Sequence, residues 1–193
     1  MRIPRLLARL LFSLVAHNTL LRSAGKHLAS GGGDCTLRFW DLDRQGPAAV
    51  CAGHKGWVMV VAWAPDATMV ASGGMDGEVR LWQPARGATQ SVALLKGHKK
   101  GVTSLAWEPA HLALPCRRLA SGGRDNVVKI WDASLKRCTI TLSSHTHVVS
   151  AIKWGGDGLL YSASRDASIL VWETTECVFF AAWRCVSDCD CVC

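Results

Sequence analysis

Four times in this chain a serine stands four positions ahead of an aspartate, which itself stands six ahead of a tryptophan. The sets are Ser30/Asp34/Trp40, Ser72/Asp76/Trp82, Ser121/Asp125/Trp131 and Ser162/Asp166/Trp172. They recur at a period of roughly 40–50 residues, which means that one supersecondary unit is stacked on copies of itself. This limits the architecture before any single residue does. The third copy, LASGGRDNVVKIWD from Leu119 to Asp132, shows the unit most plainly. An apolar strand end runs into Gly122-Gly123 and Asp125, and the apolar run to Trp131 resumes the strand. The glycines are expected to give the tight hairpin its backbone freedom, and the aspartate to bond nearby turn amides.

A second pattern lies upstream of the last three copies. Gly53-His54, Gly97-His98 and Ser144-His145 place a histidine at a comparable distance ahead of Trp82, Trp131 and Trp172. Between histidine and serine runs another apolar segment ending in tryptophan, at Trp63, Trp107 and Trp154. That makes about four strands per unit, which predicts a propeller blade. The four polar residues also have a bonding scheme ready. The imidazole can accept from the serine hydroxyl and donate to the aspartate, while the serine oxygen receives the indole N–H, so each buried polar group is paired. Hydrolase triads use the same residue types. A triad is needed only once, however, and this set recurs as His54/Ser72/Asp76/Trp82, His98/Ser121/Asp125/Trp131 and His145/Ser162/Asp166/Trp172. The sets are therefore expected to hold blades together, and no catalytic residue is expected. In the first unit His17 stands closer to Ser30 than His54 stands to Ser72, so part of its usual chain is missing.

The His…Ser…Asp…Trp pattern with its Gly-His openings resembles the WD-repeat family of β-propellers. Within it, GHKKGVTSLAWEP (97–109), HLALPCRR (111–118) and IKWGGDGLLYSASRDASILVWETT (152–175) resemble a branch that acts in assembly of the large ribosomal subunit. The long connection of the third unit, ending in Pro115-Cys116-Arg117-Arg118, is the most specific mark. A closed propeller of this period needs roughly 160 residues for four blades and about 290 for seven. The expected fold is all-β: an incomplete WD-repeat propeller of three complete blades plus a partial one, spanning residues 25–175. Its blades fall at about 25–50, 53–95, 97–142 and 144–175, between an irregular basic segment (1–24) and a Cys-rich divergent tail (176–193). The expectation is a piece of a longer propeller or a truncated product.

The resemblance implies a non-catalytic scaffold without cofactor, small-molecule substrate or membrane, in nucleus and nucleolus. Its implied partners are proteins of the pre-60S particle and ribosomal RNA. In full-length members a ubiquitin-like domain engages the ATPase midasin; that domain is absent from these residues, so the contact is not carried over. The alternatives are a generic WD-repeat adaptor in ubiquitin ligation or signalling, Notch signalling included, and a non-functional truncated product.

Charge is unevenly placed. Net charge is +7, and residues 96–137 hold nine bases against Glu108, Asp125 and Asp132. Lys99, Lys100, Arg117, Arg118 and Arg124 in that stretch are the candidate surface for RNA phosphates; the alternative is an ordinary solvated face. Trp57, just after Gly53-His54, is a candidate partner anchor or a residue packed on a neighbouring blade. No phosphate loop, paired carboxylates or metal-ligand cluster stands out. His145 and His147 flank Thr146, but without further ligands His145 reads as the bonding histidine of its blade.

The two ends leave the pattern. Arg2, Arg5 and Arg9 precede the apolar run Leu10–Ala16, which is too short to span a membrane. It reads as an irregular start to the first blade, with organelle targeting as the second reading. After Glu173-Thr174-Thr175 the repeat is expected to stop, and five of the nine cysteines (177, 185, 189, 191 and 193) fall in the tail that follows. No usual zinc spacing is present there. Cys35, Cys51, Cys116 and Cys138 are scattered, as in a reducing compartment.

Overall fold

The computed structural model describes residues 27–41, 43, 46–84, 89–112, 117–174 and 178–184. Expectations for residues 1–24, His17, Pro115-Cys116 and the tail cysteines lie outside these residues.

Among the described residues, fifteen strands form four antiparallel sheets. The first holds β1 (His27–Gly31), β2 (Thr36–Asp41) and β3 (Gly46–Ala52), in that order. The second holds β4 (Val58–Trp63), β5 (Val70–Gly74), β6 (Val79–Trp82) and β7 (Ala93–Leu95). The third runs β8 (Val102–Trp107), β9 (Arg118–Gly123), β10 (Val128–Asp132) and β11 (Arg137–Leu142). The fourth runs β12 (Val149–Trp154), β13 (Leu159–Ser164), β14 (Ser168–Glu173) and β15 (Val178–Arg184). Sequential strands are neighbours throughout, the meander of a propeller blade. The fold is an all-β, incomplete propeller, and none of the described residues forms a helix long and apolar enough to cross a membrane.

Two readings of the sequence are corrected. The repeat pattern is lost after Thr175, yet the backbone of Val178–Arg184 pairs with β14 from Ser168↔Arg184 to Glu173↔Val178. A strand needs only compatible backbone and packing, so β15 forms where the motif has ended. The hairpin glycines also play another part. The left-handed residue of each turn is the one after the aspartate: Cys35 (φ 64°), Gly77 (77°), Asn126 (65°) and Ala167 (61°). Gly73 and Gly122 are small because the next sheet presses on them. A Cβ on Gly73 would lie 2.6 Å from Val102 Cγ1, and one on Gly122 2.7 Å from Val149 Cγ1.

Alternation along the strands explains the stacking. Successive side chains point to opposite faces, so Val70 enters the core between the first two sheets and Ala71 the core between the second and third. Leu119 and Ala120 divide in the same way between the cores before and after the third sheet. Each repeat tryptophan packs back on the preceding sheet: Trp82 in the first core, Trp131 in the second, Trp172 in the third. The other tryptophan series stitches neighbouring inner strands. Trp107 Nε1 donates to Ala62 O at 3.0 Å and Trp154 Nε1 to Ala106 O at 3.1 Å. Trp63 Nε1, the matching group of the second sheet, is buried without an acceptor among the described residues.

Candidate functional site

The hairpin turns that carry the repeat aspartates, β1–β2, β5–β6, β9–β10 and β13–β14, mark one end of each sheet, called upper here. Just below it lie the polar sets. In the second sheet Trp82 Nε1 donates to Ser72 Oγ at 2.8 Å, Ser72 Oγ is 2.7 Å from His54 Nε2, and His54 Nδ1 is 3.0 Å from Asp76 Oδ2. The third sheet repeats this with Trp131, Ser121, His98 and Asp125 at 2.7, 2.7 and 2.9 Å. The fourth does so with Trp172, Ser162, His145 and Asp166 at 2.8, 2.8 and 2.9 Å. One proton arrangement satisfies all of it: indole N–H to serine oxygen, serine O–H to imidazole Nε2, imidazole Nδ1–H to carboxylate. Each carboxylate also accepts a backbone N–H from the incoming loop, at Lys55, Lys99 and Thr146. The set thus ties the loop, the second strand and the third strand of its sheet together.

The first sheet differs. Trp40 Nε1 donates to Ser30 Oγ at 2.9 Å, but Asp34 faces Thr36 and the Arg38 guanidinium, the latter at 2.7 Å. No described histidine completes this set.

Electrostatics follow from burial. Burial pushes the His54 pKa down more strongly than Asp76 pulls it up, so the imidazole is held neutral. Burial alone would raise Asp76, but the amides of Glu78 and Lys55 and the His54 ring outweigh it and leave the carboxyl below its ordinary value. Burial would likewise raise Asp125 and Asp166. His98 and Lys99 lower the first in spite of it, and Ser168, His145 and Thr146 lower the second. The arrangement has the members of a hydrolase triad, but Ser72, Ser121 and Ser162 are 0% exposed and their oxygens already receive an indole proton. No substrate carbonyl can reach them.

His54, Asp76 and Glu78 offer atoms within 4.8 Å of one another. Asp76 is taken by the imidazole and two amides, and Glu78 pairs with Arg80 at 2.8 Å. His147 Nδ1 accepts from the Val148 amide while His145 belongs to its set, so these two histidines do not converge. Cys35 and Cys138 are free thiols, and burial pushes the Cys51 thiol up to about 11.

The basic residues singled out in the third unit do not share one surface. Arg118 and Gly123 stand at opposite ends of β9, about 17 Å apart at strand rise. Exposed Lys99, Lys100 and Arg124 lie at the upper end and exposed Arg117 at the lower. Arg118 is engaged within the chain. Its guanidinium grips Glu108 Oε1, which is 1% exposed, reaches Thr174 Oγ1 at 3.2 Å and lies 5.4 Å over the Trp154 ring. It thereby clamps the third sheet to the fourth. Trp57 is 45% exposed on one side, and on the other its ring lies 3.8 Å from the Cβ position of Gly33 in the first sheet.

Sequence reasoning missed Arg165. It stands immediately before the repeat aspartate, as Arg124 does, and the aligned turns carried that signal. The two arginines line an upper cavity of ≈ 390 Å³. A second cavity of ≈ 610 Å³ at the lower end is lined by Trp63, Trp107 and Trp154 with Pro65 and Pro109.

Repeated four-stranded sheets, inter-sheet tryptophan bonds and three copies of one buried polar set define a propeller built of WD repeats. The chain belongs to that family: the WD domain, G-beta repeat matches residues 8–41, 45–83, 89–132 and 136–173. Among curated proteins it is similar to Protein Notchless of Drosophila melanogaster, 45% identical over 152 residues, 79% of this chain and 31% of the relative. It is 48% identical to the Notchless protein homolog of Arabidopsis thaliana over 72% of this chain and 29% of that protein. With Ribosome assembly protein 4 of Saccharomyces cerevisiae it shares 45% identity over 70% of this chain and 28% of the relative. The matched part is thus Notchless-like, and the alignments take in about three-tenths of each relative's length.

Proposed function

We propose that this chain is a non-catalytic interaction scaffold in biogenesis of the large (60S) ribosomal subunit, working in the nucleus and nucleolus on the pre-60S particle. The observation that carries the reading is the 45% identity, across 143 residues of repeat, to a protein named for ribosome assembly. The sealed serine sets support the non-catalytic part, since they spend their polar groups on holding strands together. The partners proposed are proteins of the pre-60S particle. Contact with midasin, implied only for full-length members, forms no part of this proposal.

The test is sucrose-gradient sedimentation of the epitope-tagged chain from cell extract, followed by identification of co-purifying proteins. The expected result is co-sedimentation with large-subunit precursors and recovery of large-subunit ribosomal proteins. Recovery of ubiquitin-ligase subunits instead, with the chain absent from precursor fractions, overturns the reading in favour of a generic adaptor.

A further inference from the structure

Each inner strand carries a bulge near its upper end, where the pairing skips from Val58 to Val60, from Val102 to Ser104 and from Val149 to Ala151. The skipped residues are Met59, Thr103 and Ser150. Bulges of this kind re-aim a side chain, and all three line the upper cavity with Val148, Arg124 and Arg165. Both arginines are exposed and neither makes a side-chain hydrogen bond or ion pair among the described residues.

Backbone bonds fix this rim. Met75 N donates to Trp57 O at 2.8 Å, Arg124 N to Gly101 O at 2.8 Å and Arg165 N to Val148 O at 3.0 Å. Gly101 in turn sits with its Cβ position 3.1 Å from Met75 Cα, joining the second turn to the third. The rim therefore has an apolar part, with Trp57 45% and Met75 49% exposed, and a cationic part at Arg124 and Arg165 beside Lys99 and Lys100. The nearby carboxylates are already committed: Asp76, Asp125 and Asp166 to histidines, and Glu78 to Arg80.

We propose that this upper rim binds single-stranded RNA, with Arg124 and Arg165 on backbone phosphates and the Trp57 indole stacking a base. Several separate cations without internal counter-charges suit a chain of regularly spaced phosphates better than one carboxylate. An exposed indole farther along the same rim, seated against Gly33 of the first sheet, suits an unstacked base, which single strands offer and duplexes do not. The proposal deepens the ribosome-assembly reading and rests on it for the source of the RNA.

Fluorescence anisotropy of the full chain with a labelled, mixed-sequence single-stranded oligoribonucleotide tests it. The variants Arg124→Ala/Arg165→Ala and Trp57→Ala are compared with Arg117→Ala at the lower end, with circular dichroism confirming unchanged sheet content. Each lost phosphate contact should flatten the salt dependence of log K by about 0.7, and loss of the stacking residue should weaken binding at least about fivefold. Arg117→Ala should bind like the parent chain. Equal binding by all variants overturns the proposal. So does rim-dependent binding of poly-glutamate without RNA binding, which would make the rim an acidic-peptide site. Rim-dependent RNA binding by a chain absent from large-subunit precursors would instead refute the assembly reading and leave the RNA site standing.

Discussion

Ser72 shows how much depends on one hydroxyl. Its oxygen receives the Trp82 indole proton, and its own proton goes to His54, in a site with no solvent access. Ser72→Ala would strand a buried N–H and a buried ring nitrogen. An unsatisfied buried polar group costs about 1–3 kcal/mol, so stability measured by urea unfolding should fall by that amount. Ser134→Ala, at an exposed turn position, should stay within about 0.5 kcal/mol. The titrating groups set the acid response. His54 is held below its ordinary value, so its contribution is complete above about pH 6.5 and is lost as pH falls through the folded-state pKa. Asp76, Asp125 and Asp166 are also lowered; their contributions are complete above about pH 4 and are lost further into acid. Stability measured by denaturant at successive pH values should therefore fall in two stages on the acid side. A maximum below pH 5 would contradict these assignments.

Between elements, the Glu108–Arg118 clamp is the joint with the clearest consequence. Glu108 is almost fully buried, and its Oε2 has no partner among the described residues. Breaking a buried pair can cost about 3–5 kcal/mol. Here the Arg118 side chain is 32% exposed, and water near it reduces the loss from Arg118→Met to about 1–3 kcal/mol. The double variant Glu108→Gln/Arg118→Met should lose less than Arg118→Met alone, because no buried charge is left behind. A double-mutant cycle by thermal unfolding reads this directly, and additive losses would show that the two side chains act independently. The third unit's long connection adds another inter-sheet tie, His111 Nε2 to Gly156 O at 2.7 Å. This side of the fourth sheet is therefore held by polar as well as apolar contacts.

For the whole molecule, the flank of the fourth sheet that points away from the third matters most. Ala71, Val79 and Leu81 of the second sheet and Ala120, Val128 and Ile130 of the third are 0% exposed, each covered by the sheet that follows. In the fourth sheet the matching positions are Tyr161, half-buried, Ile169, 45% exposed, and Val171, 6% exposed, so this flank is open mainly at Ile169. An uncovered apolar flank favours association. Size-exclusion chromatography with light scattering should find the 193-residue chain self-associating, and Ile169→Glu should shift it towards monomer. A monodisperse monomer for the parent chain would show that the flank is satisfied within the chain.

The repeat period, the four strands of the last three units and the partners within their polar sets were legible in the sequence, because they depend on spacing along one chain segment; in the first unit Asp34 turns to Thr36 and Arg38 instead. The spacing of Ser, Asp and Trp puts their side chains on paired strands at fixed offsets, and strand alternation then points them inward. Gly122 was legible as special but was misread, and its counterpart in the second sheet is Gly73. Their need arises from Val102 and Val149, which belong to the next sheet in each case. Tertiary structure decided the rest: β15 pairing with β14 beyond the motif, Arg118 reaching from Glu108 of its own sheet to Thr174 and Trp154 of the fourth, and Arg124 sharing a cavity with Arg165 of the neighbouring sheet. The first depends on backbone pairing that any compatible segment can supply, and the other two on how one sheet stacks against another, which is set by the summed packing of both faces and is contained in no local pattern of residues.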